Sequence, residues 1–413
     1  MKIAIYWEQN EWGGVDSQLL TMLESWPSDD DNFLLYHNKG NAGLERIRIA
    51  LGRLDNVKLK EIESWSYNEV YARMLNVSLP GILRKFVFFF QPFLFIHMLF
   101  KLTKLFKSDG EFDVLLSDNG GYPAAWGCLS AILAAKRARI PVRALLVHHE
   151  ANKPVLFMGW FENIIDSLIM KAASVIVCPS YATCKTIINR RNINIDLVRM
   201  RVVYNEVTHK NNNNIEQASN IKKLIGADDE LIIGIVGRIE PYKGHEDLIY
   251  AMSRLNTKEL AKLKMVVIGK GDAAEIERLQ RVSERLGVKE KIHFLGYLAG
   301  SSSAIIKQLD LLVVATRSFE GFGLTLAEAM LENTPVMATR VGAIPEFLDD
   351  SVGWLVSPGA PKEMFLALEN FINNKAEWEK KTVMAKQRIH NVSGNMAEEY
   401  KKLFVECNDG PTS

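Results

Sequence analysis

Short apolar runs alternate along this chain with segments whose apolar residues recur at helical spacing, the signature of alternating strands and helices. Lys2–Trp7 (KIAIYW) reads as a strand. A loop with Gly13-Gly14 follows, then an apolar-periodic helix over about Ser17–Glu24. Phe33–His37, Val114–Ser117, Val142–Val147 and Ser174–Cys178 read as further strands, with helices near Ala124–Lys136 and Asn163–Ala173 between them. The alternation stops at Thr208–Asn220, a polar stretch with Asn211 to Asn214 in a row. It restarts with strands at Leu231–Val236, Met265–Ile268, Ile292–Phe294, Leu311–Ala315 and Pro335–Ala338. Helices are expected at Glu246–Arg254, Glu275–Leu286 and Leu324–Leu331, and one long charged helix from Ala376 to about Phe404. Such alternation specifies parallel sheets covered on both faces.

The polar stretch divides two doubly wound α/β units. The pattern places an amino-terminal Rossmann-like domain at 1–208, a second at 209–390, and a terminal helix at 391–413, which is expected to cross back to the first. Ligands of such sheets bind beyond the carboxyl ends of the strands, at the point where strand order reverses. Two units facing each other would enclose a deep interdomain cleft.

Composition narrows the class. The chain has 413 residues, 48% apolar and 24% charged, an ordinary globular balance. A formal net charge of +1 supplies no field for nucleic acid. Four cysteines without a C-x-x-C pair fit a reducing compartment better than a disulfide framework or a zinc site. The opening reads as a strand, so no secretory signal is expected there. Phe86–Phe100 is almost wholly apolar but too short to span a bilayer, and Pro92 interrupts it. These features point to a cytoplasmic protein.

Candidate chemistry concentrates in the second half. After Leu231–Val236 come Gly237-Arg238 and then Lys243-Gly244. A guanidinium and an ammonium just past a strand end can clamp a diphosphate; the same residues also fit a solvated surface turn. Further on, Glu320-Gly-Phe-Gly-Leu-Thr-Leu-Ala-Glu328 lies between a strand and a helix. Its loop and helix amino terminus offer amides to an anion. Glu328 is placed to accept ribose hydroxyls, or is simply an acid favoured near a helix start. Glu320 lies on the loop, free to reach a sugar. Gly342-Ala-Ile-Pro345-Glu346 reads as a turn into a short helix, with or without a ligand role.

Arg238…Lys243-Gly244, Gly269-Lys-Gly271, Phe294-Leu-Gly296, Glu320-Gly-Phe-Gly with Glu328, Pro335-Val and Gly342-x-x-Pro-Glu346 occur in one order and spacing. That run resembles the carboxyl-terminal domain of retaining glycosyltransferase family 4, over about Leu231–Val356. The resemblance implies the GT-B fold and a nucleotide-diphosphate sugar donor carrying UDP or GDP. Arg238 and Lys243 would hold the diphosphate, Glu328 the ribose, and Glu320 the sugar hydroxyls. His293, Leu295 and Tyr297 would lie beside the base. Gly237, Gly269, Gly321, Phe322, Gly323, Leu324 and Thr325 would line the phosphates and sugar. In the first half, Gly13 and Gly14 correspond to a diphosphate-facing loop. His148-His149-Glu150 falls where the family has one sugar-contacting histidine; His149 matches better, and the doubling leaves His148 open. Glu206 stands after Tyr204-Asn205 where a glycine is usual.

The implied reaction is retaining transfer of a hexosyl group to an acceptor hydroxyl, in polysaccharide, lipopolysaccharide or glycolipid synthesis. No carboxylate stands out as a nucleophile for double displacement, so front-face attack is expected. Two side-chain cations and helix-end amides stabilise the leaving diphosphate, so neither metal nor cofactor is expected. Asp29-Asp30-Asp31 reads as a polar turn rather than a metal motif. The acceptor, a glycan or glycolipid, would bind the amino-terminal domain. There the basic, aromatic segment 84–107 either packs as a domain helix or rests peripherally on the cytosolic face of a membrane. A sugar-nucleotide epimerase of the same fold and a non-catalytic nucleotide-sugar-binding subunit are the alternatives. A nicotinamide dehydrogenase is excluded by the lack of G-x-G-x-x-G after the first strand.

Overall fold

A computed structural model describes residues 1–9, 13–41, 43–52, 54–63, 70, 90–191, 193, 200–208, 220–298 and 301–409. The polar stretch with Asn211–Asn214, and Arg84, Lys85 and Phe86–Phe89, lie outside the described residues. The chain forms two units, one of Met1–Glu206 with Asn395–Ser413, the other of Val207–Gly394.

In the first unit β1 (Lys2–Trp7), α1 (Gly14–Glu24), β2 (Asn32–Asn38), α2 (Leu44–Leu51), β3 (Val57–Ile62), α3 (Gln91–Ser108) and β4 (Val114–Asn119) lead on to α4 (Trp126–Arg137). β5 (Val142–Val147), α5 (Gly159–Ala172), β6 (Val175–Cys178), α6 (Tyr181–Arg191) and β7 (Met200–Val202) complete it. The strands form one sheet in the order β3-β2-β1-β4-β5-β6-β7, every pair parallel. The central strands are buried on both faces, so their sequences run apolar without alternation. Phe95, Leu102, Leu129, Ile132 and Ile165 fill the core on the face covered by α3, α4 and α5. Leu19, Leu23, Ile47, Tyr400 and Phe404 fill the other, where α1 and α2 pack with the carboxyl-terminal helix Met396–Asn408. Asp31 secures that helix: its carboxylate takes the terminal amine at 2.5 Å, the Trp26 indole N–H at 2.9 Å and the Lys401 ammonium at 3.2 Å. Asp31 of the aspartate run thus has a structural role.

The second unit starts with α7 (Ile221–Ile225) and β8 (Leu231–Val236), then a 3₁₀ turn at Pro241–Lys243. α8 (His245–Met252), α9 (Thr257–Ala261), β9 (Leu263–Ile268), α10 (Ala273–Arg285), β10 (Ile292–Gly296), α11 (Ser302–Ile306) and β11 (Leu311–Val314) follow. Beyond them lie α12 (Leu324–Leu331), β12 (Val336–Thr339), α13 (Ile344–Phe347), β13 (Trp354–Val356), α14 (Pro361–Asn373) and α15 (Lys375–Val392). The sheet order is β10-β9-β8-β11-β12-β13, again all parallel. Strand order thus reverses between β1 and β4 in one unit and between β8 and β11 in the other. The long charged helix expected to reach Phe404 is instead two, broken over Ser393-Gly394-Asn395. Ser393 Oγ there accepts the Val207 N–H at 2.9 Å.

Candidate active site

In the second unit Lys243 and Glu320 meet just past the ends of β8 and β11. Lys243 closes the 3₁₀ turn, and its ammonium meets the Glu320 carboxylate. Thr316, the buried residue two beyond β11, donates its hydroxyl to the same Glu320 oxygen at 2.6 Å. Glu320 is therefore not free on its loop: two donors orient it. The turn is seated firmly. Gly244 has φ +72°, and a Cβ there would lie 2.0 Å from the Ala315 carbonyl oxygen. Arg317 forks onto Asp247 at 2.7 and 2.6 Å, and its N–H donates to the Tyr242 carbonyl at 2.7 Å. These contacts fix Lys243 relative to the β11 end.

Arg238 projects into solvent beside this pair. It donates to Glu240 at 3.0 Å and to the Tyr242 hydroxyl at 3.2 Å. Burial, then Glu240, pushes the Tyr242 phenol up, so that hydroxyl stays neutral. Gly237 and Gly269 hold the adjacent ends of β8 and β9, their N–H groups donating to Ile268 at 2.9 Å and Gly296 at 2.8 Å.

The Gly342-x-x-Pro-Glu346 segment braces Glu320. The Ala343 N–H donates to the Glu320 carbonyl at 2.9 Å. Gly342, at φ +52°, leaves no room for a side chain, since a Cβ would sit 2.1 Å from that oxygen. The sequence left this segment between plain loop and ligand; here it positions Glu320. Gly321 and the buried Phe322 continue the loop, and the Phe322 ring packs tilted against Phe347, centroids 5.2 Å apart. Gly323 caps α12, whose first residues, Leu324 and Thr325, are half-buried. The first amides of a helix have no partner within it. Glu328 follows in the same helix with one carboxylate oxygen buried. His293 and Leu295 lie half-buried on the edge strand β10, with Tyr297 exposed just beyond it. Burial, reinforced by Lys264, lowers the His293 pKa, and the Lys270 ammonium stands 5.6 Å over the Tyr297 ring.

The strand ends of the first unit are acidic rather than basic. Past β1, Glu8 accepts the Tyr6 hydroxyl at 3.1 Å. Asp16 on α1 accepts the Trp7 indole N–H at 2.8 Å and the Gly13 N–H at 2.6 Å, and burial raises its pKa to about 6. Gly13 thus caps α1, and Gly14 is its first residue. The two histidines separate: His148 is buried with Nε2 2.8 Å from Asp118, and His149 is exposed. The other Asp118 oxygen and the Asn119 amide nitrogen are buried without a hydrogen-bond partner among the described residues. Glu206, in place of a glycine, is buried; its N–H and carbonyl both pair with the Gln18 amide at 3.1 Å.

Sequence reasoning missed Thr316, Asp247, Tyr242, Glu8, Asp16 and Asp118. The available signal was position: Thr316, Asp118 and Glu8 sit at or just past the strand ends that flank a reversal of order.

Residues 216–390 match the family model of glycosyl transferases group 1. An uncharacterised glycosyltransferase of Methanocaldococcus jannaschii, MJ1607, is 31% identical over 215 residues, 49% of this chain and 54% of the relative. The D-inositol 3-phosphate glycosyltransferase of Corynebacterium glutamicum is 32% identical over 149 residues, 35% of each chain. The matched segments thus span about half or less of these relatives' own length. Among solved structures, Anabaena Alr3699/HepE in complex with UDP superposes with a TM-score of 0.74 at 18% identity, covering 98% of this chain and 100% of that one. The chain therefore has the GT-B fold of two parallel-sheet α/β domains, and its residues 216–390, which hold the Lys243–Glu320 pair, carry the sequence pattern of group 1 glycosyl transferases.

Proposed function

We propose that this chain is a retaining glycosyltransferase that moves a hexosyl group from a nucleotide-diphosphate donor to a hydroxyl of a glycan or glycolipid. The observation that carries the reading is the oriented Lys243–Glu320 pair beside the α12 amino terminus. Lys243 and the exposed Arg238 take the diphosphate. Glu320, held by Thr316, takes a sugar hydroxyl, and Glu328 takes the ribose. The β10 edge with His293, Leu295 and Tyr297 receives the base. UDP is favoured over GDP, supported by the UDP held by Alr3699/HepE.

In this reading the bond between anomeric carbon and phosphate oxygen breaks, and its electrons leave with the diphosphate. The two cations and the helix-end amides stabilise that growing charge without a metal. The acceptor oxygen attacks the same face, and its proton passes to the departing phosphate oxygen, which gives retention.

The test is transfer of labelled sugar from UDP- and GDP-sugars to glycan and glycolipid acceptors, with the product anomer read by NMR. Lys243→Ala should lower kcat by about 10²–10³-fold, the scale of one lost transition-state charge stabiliser. Activity should persist in excess EDTA. Wild-type turnover by Lys243→Ala would remove that residue from the mechanism. An epimerised donor without transfer would favour the epimerase, and an inverted product would refute front-face retention.

A further inference from the structure

The layer of α3, α4 and α5 in the first unit presents an apolar face unrelated to the strand-end sites. On α3, Phe93, Ile96 and Phe100 recur on one side and are all exposed, Phe93 by 69%. On α5, Trp160, Ile164 and Leu168 do the same. The turn before α5 adds Leu156 and Phe157, 89% and 76% exposed. These are not core residues facing the wrong way. The inner faces of the same helices already fill the core with Phe95, Met98, Leu102, Phe161, Ile165 and Ile169. The two helices meet across α4, with the Phe95 and Phe161 rings 6.0 Å apart and Trp126 stacked on Phe161 at 5.6 Å. Scattered exposed hydrophobes are ordinary; two such stripes on the helices that flank α4 mark an interaction surface.

Charge identifies the occupant. The three helices carry Lys101, Lys104, Lys107, Lys136, Arg137 and Lys171. Their only carboxylates, Glu162 and Asp166, are buried against Arg191 at 2.6 and 2.8 Å. The layer therefore exposes cations and no carboxylate. Arg137 stands 5.0 Å from the Phe100 ring, so charge and apolar stripe are contiguous. A second copy docked symmetrically would oppose cation to cation with no acid to match. An anionic bilayer supplies both an apolar interior and negative headgroups. No helix among the described residues is long and apolar enough to cross a membrane, so contact would be interfacial.

We propose that this layer docks on an anionic lipid surface, with Leu156, Phe157 and Phe93 entering the boundary between headgroups and acyl chains. The sequence offered 84–107 alone for such contact; the structure adds α5 and its leading turn. The inference stands independently of the proposed transfer reaction.

Co-sedimentation of the full chain with phosphatidylcholine vesicles, with and without phosphatidylglycerol, tests it. Binding should require phosphatidylglycerol and weaken at high salt. Phe157→Ser with Trp160→Ser should lower the bound fraction about tenfold, while the thermal unfolding midpoint stays unchanged. Brominated acyl chains should quench wild-type tryptophan fluorescence, and Trp160→Phe should lose most of that quenching, a readout that survives if the double variant misfolds. Absence of binding to anionic vesicles, equal binding to neutral ones, or quenching unaltered by Trp160→Phe would overturn the proposal. So would a concentration-dependent dimer that the double variant disperses, with no vesicle binding, which would assign the face to a second copy.

Discussion

Gly342→Ala tests whether the brace behind Glu320 holds the site in shape. Alanine at φ +52° is left-handed, which costs about 1–2 kcal/mol. Its Cβ would also sit 2.1 Å from the Glu320 carbonyl oxygen and 2.7 Å from the Glu320 nitrogen, both backbone atoms that no rotamer change can move. Ordinary contact begins near 3.4 Å, so the two segments must part by about 1.3 Å. Overpacking of that kind adds about 1–3 kcal/mol. The total, roughly 2–5 kcal/mol, should lower the Tm of the second unit by about 5–15 °C. The same displacement carries Glu320 away from Lys243 and Thr316, and a misplacement near 1 Å costs about 10² in rate. Differential scanning fluorimetry and steady-state transfer measure the two effects. Gly359→Ala is the control: it has φ +67° with nothing within 4 Å of a Cβ, so it should show the left-handed cost alone and full turnover. Equal, small effects of the two substitutions would refute the bracing argument.

Other expectations follow from single side chains. Glu328→Ala should raise the donor KM about tenfold, the effect of losing a hydrogen bond to a charged group, with a smaller change in kcat; an unchanged KM would remove the ribose role. His245 is 2% exposed, with both ring nitrogens buried and without a hydrogen-bond partner among the described residues, and burial lowers its pKa to about 4. The unfolded chain takes up this proton below about 6.5 and the folded unit only near 4, so stability is fully present above 6.5 and lost as pH falls through that window. The loss should reach about 2 kcal/mol at pH 5 and vanish in His245→Leu, read from urea midpoints. Asp16 acts with the opposite sign in the first unit: its raised pKa makes the folded form bind the proton first, so its burial penalty is relieved as pH falls from about 6 towards 3.8.

Much of the fold was legible because central parallel strands are buried on both faces and stand out as uninterrupted apolar runs. β3 (VKLKEI) alternates Lys with apolar residues at the sheet edge, and it escaped notice. Three-residue strands such as β7 and β13 carry too few positions to show a period. The terminal helix pair read as one because charge and helical spacing continue on both sides of Gly394. α10 starts earlier than its apolar period suggests, because Asp272 caps it by accepting the Ala274 N–H at 2.9 Å. The motifs of the site were visible because each is contiguous. Their partnerships were not: Lys243 and Glu320 lie 77 residues apart, Arg317 and Asp247 70, and Asp118 and His148 30. Only the folding of successive strands into one sheet brings such residues together.

Both units reverse strand order at the same topological place, yet among the described residues the second presents cations there and the first does not. The second unit offers Arg238 and Lys243 beside a helix amino terminus. The first offers Glu8, Asp16 and Asp118, all buried, with the single imidazole of His148 among them. Carboxylates withdrawn from water in this way repel an anion, and the raised pKa of Asp16 registers the same unfavourable environment for negative charge. Under the proposed reaction the diphosphate falls to the second unit, whose strand ends carry two cations, each paired with a glutamate, beside a helix amino terminus. The acidic strand ends of the first unit suit neutral hydroxyls, which donate hydrogen bonds to carboxylates. Under the proposed reaction this is the division of labour expected of donor and acceptor.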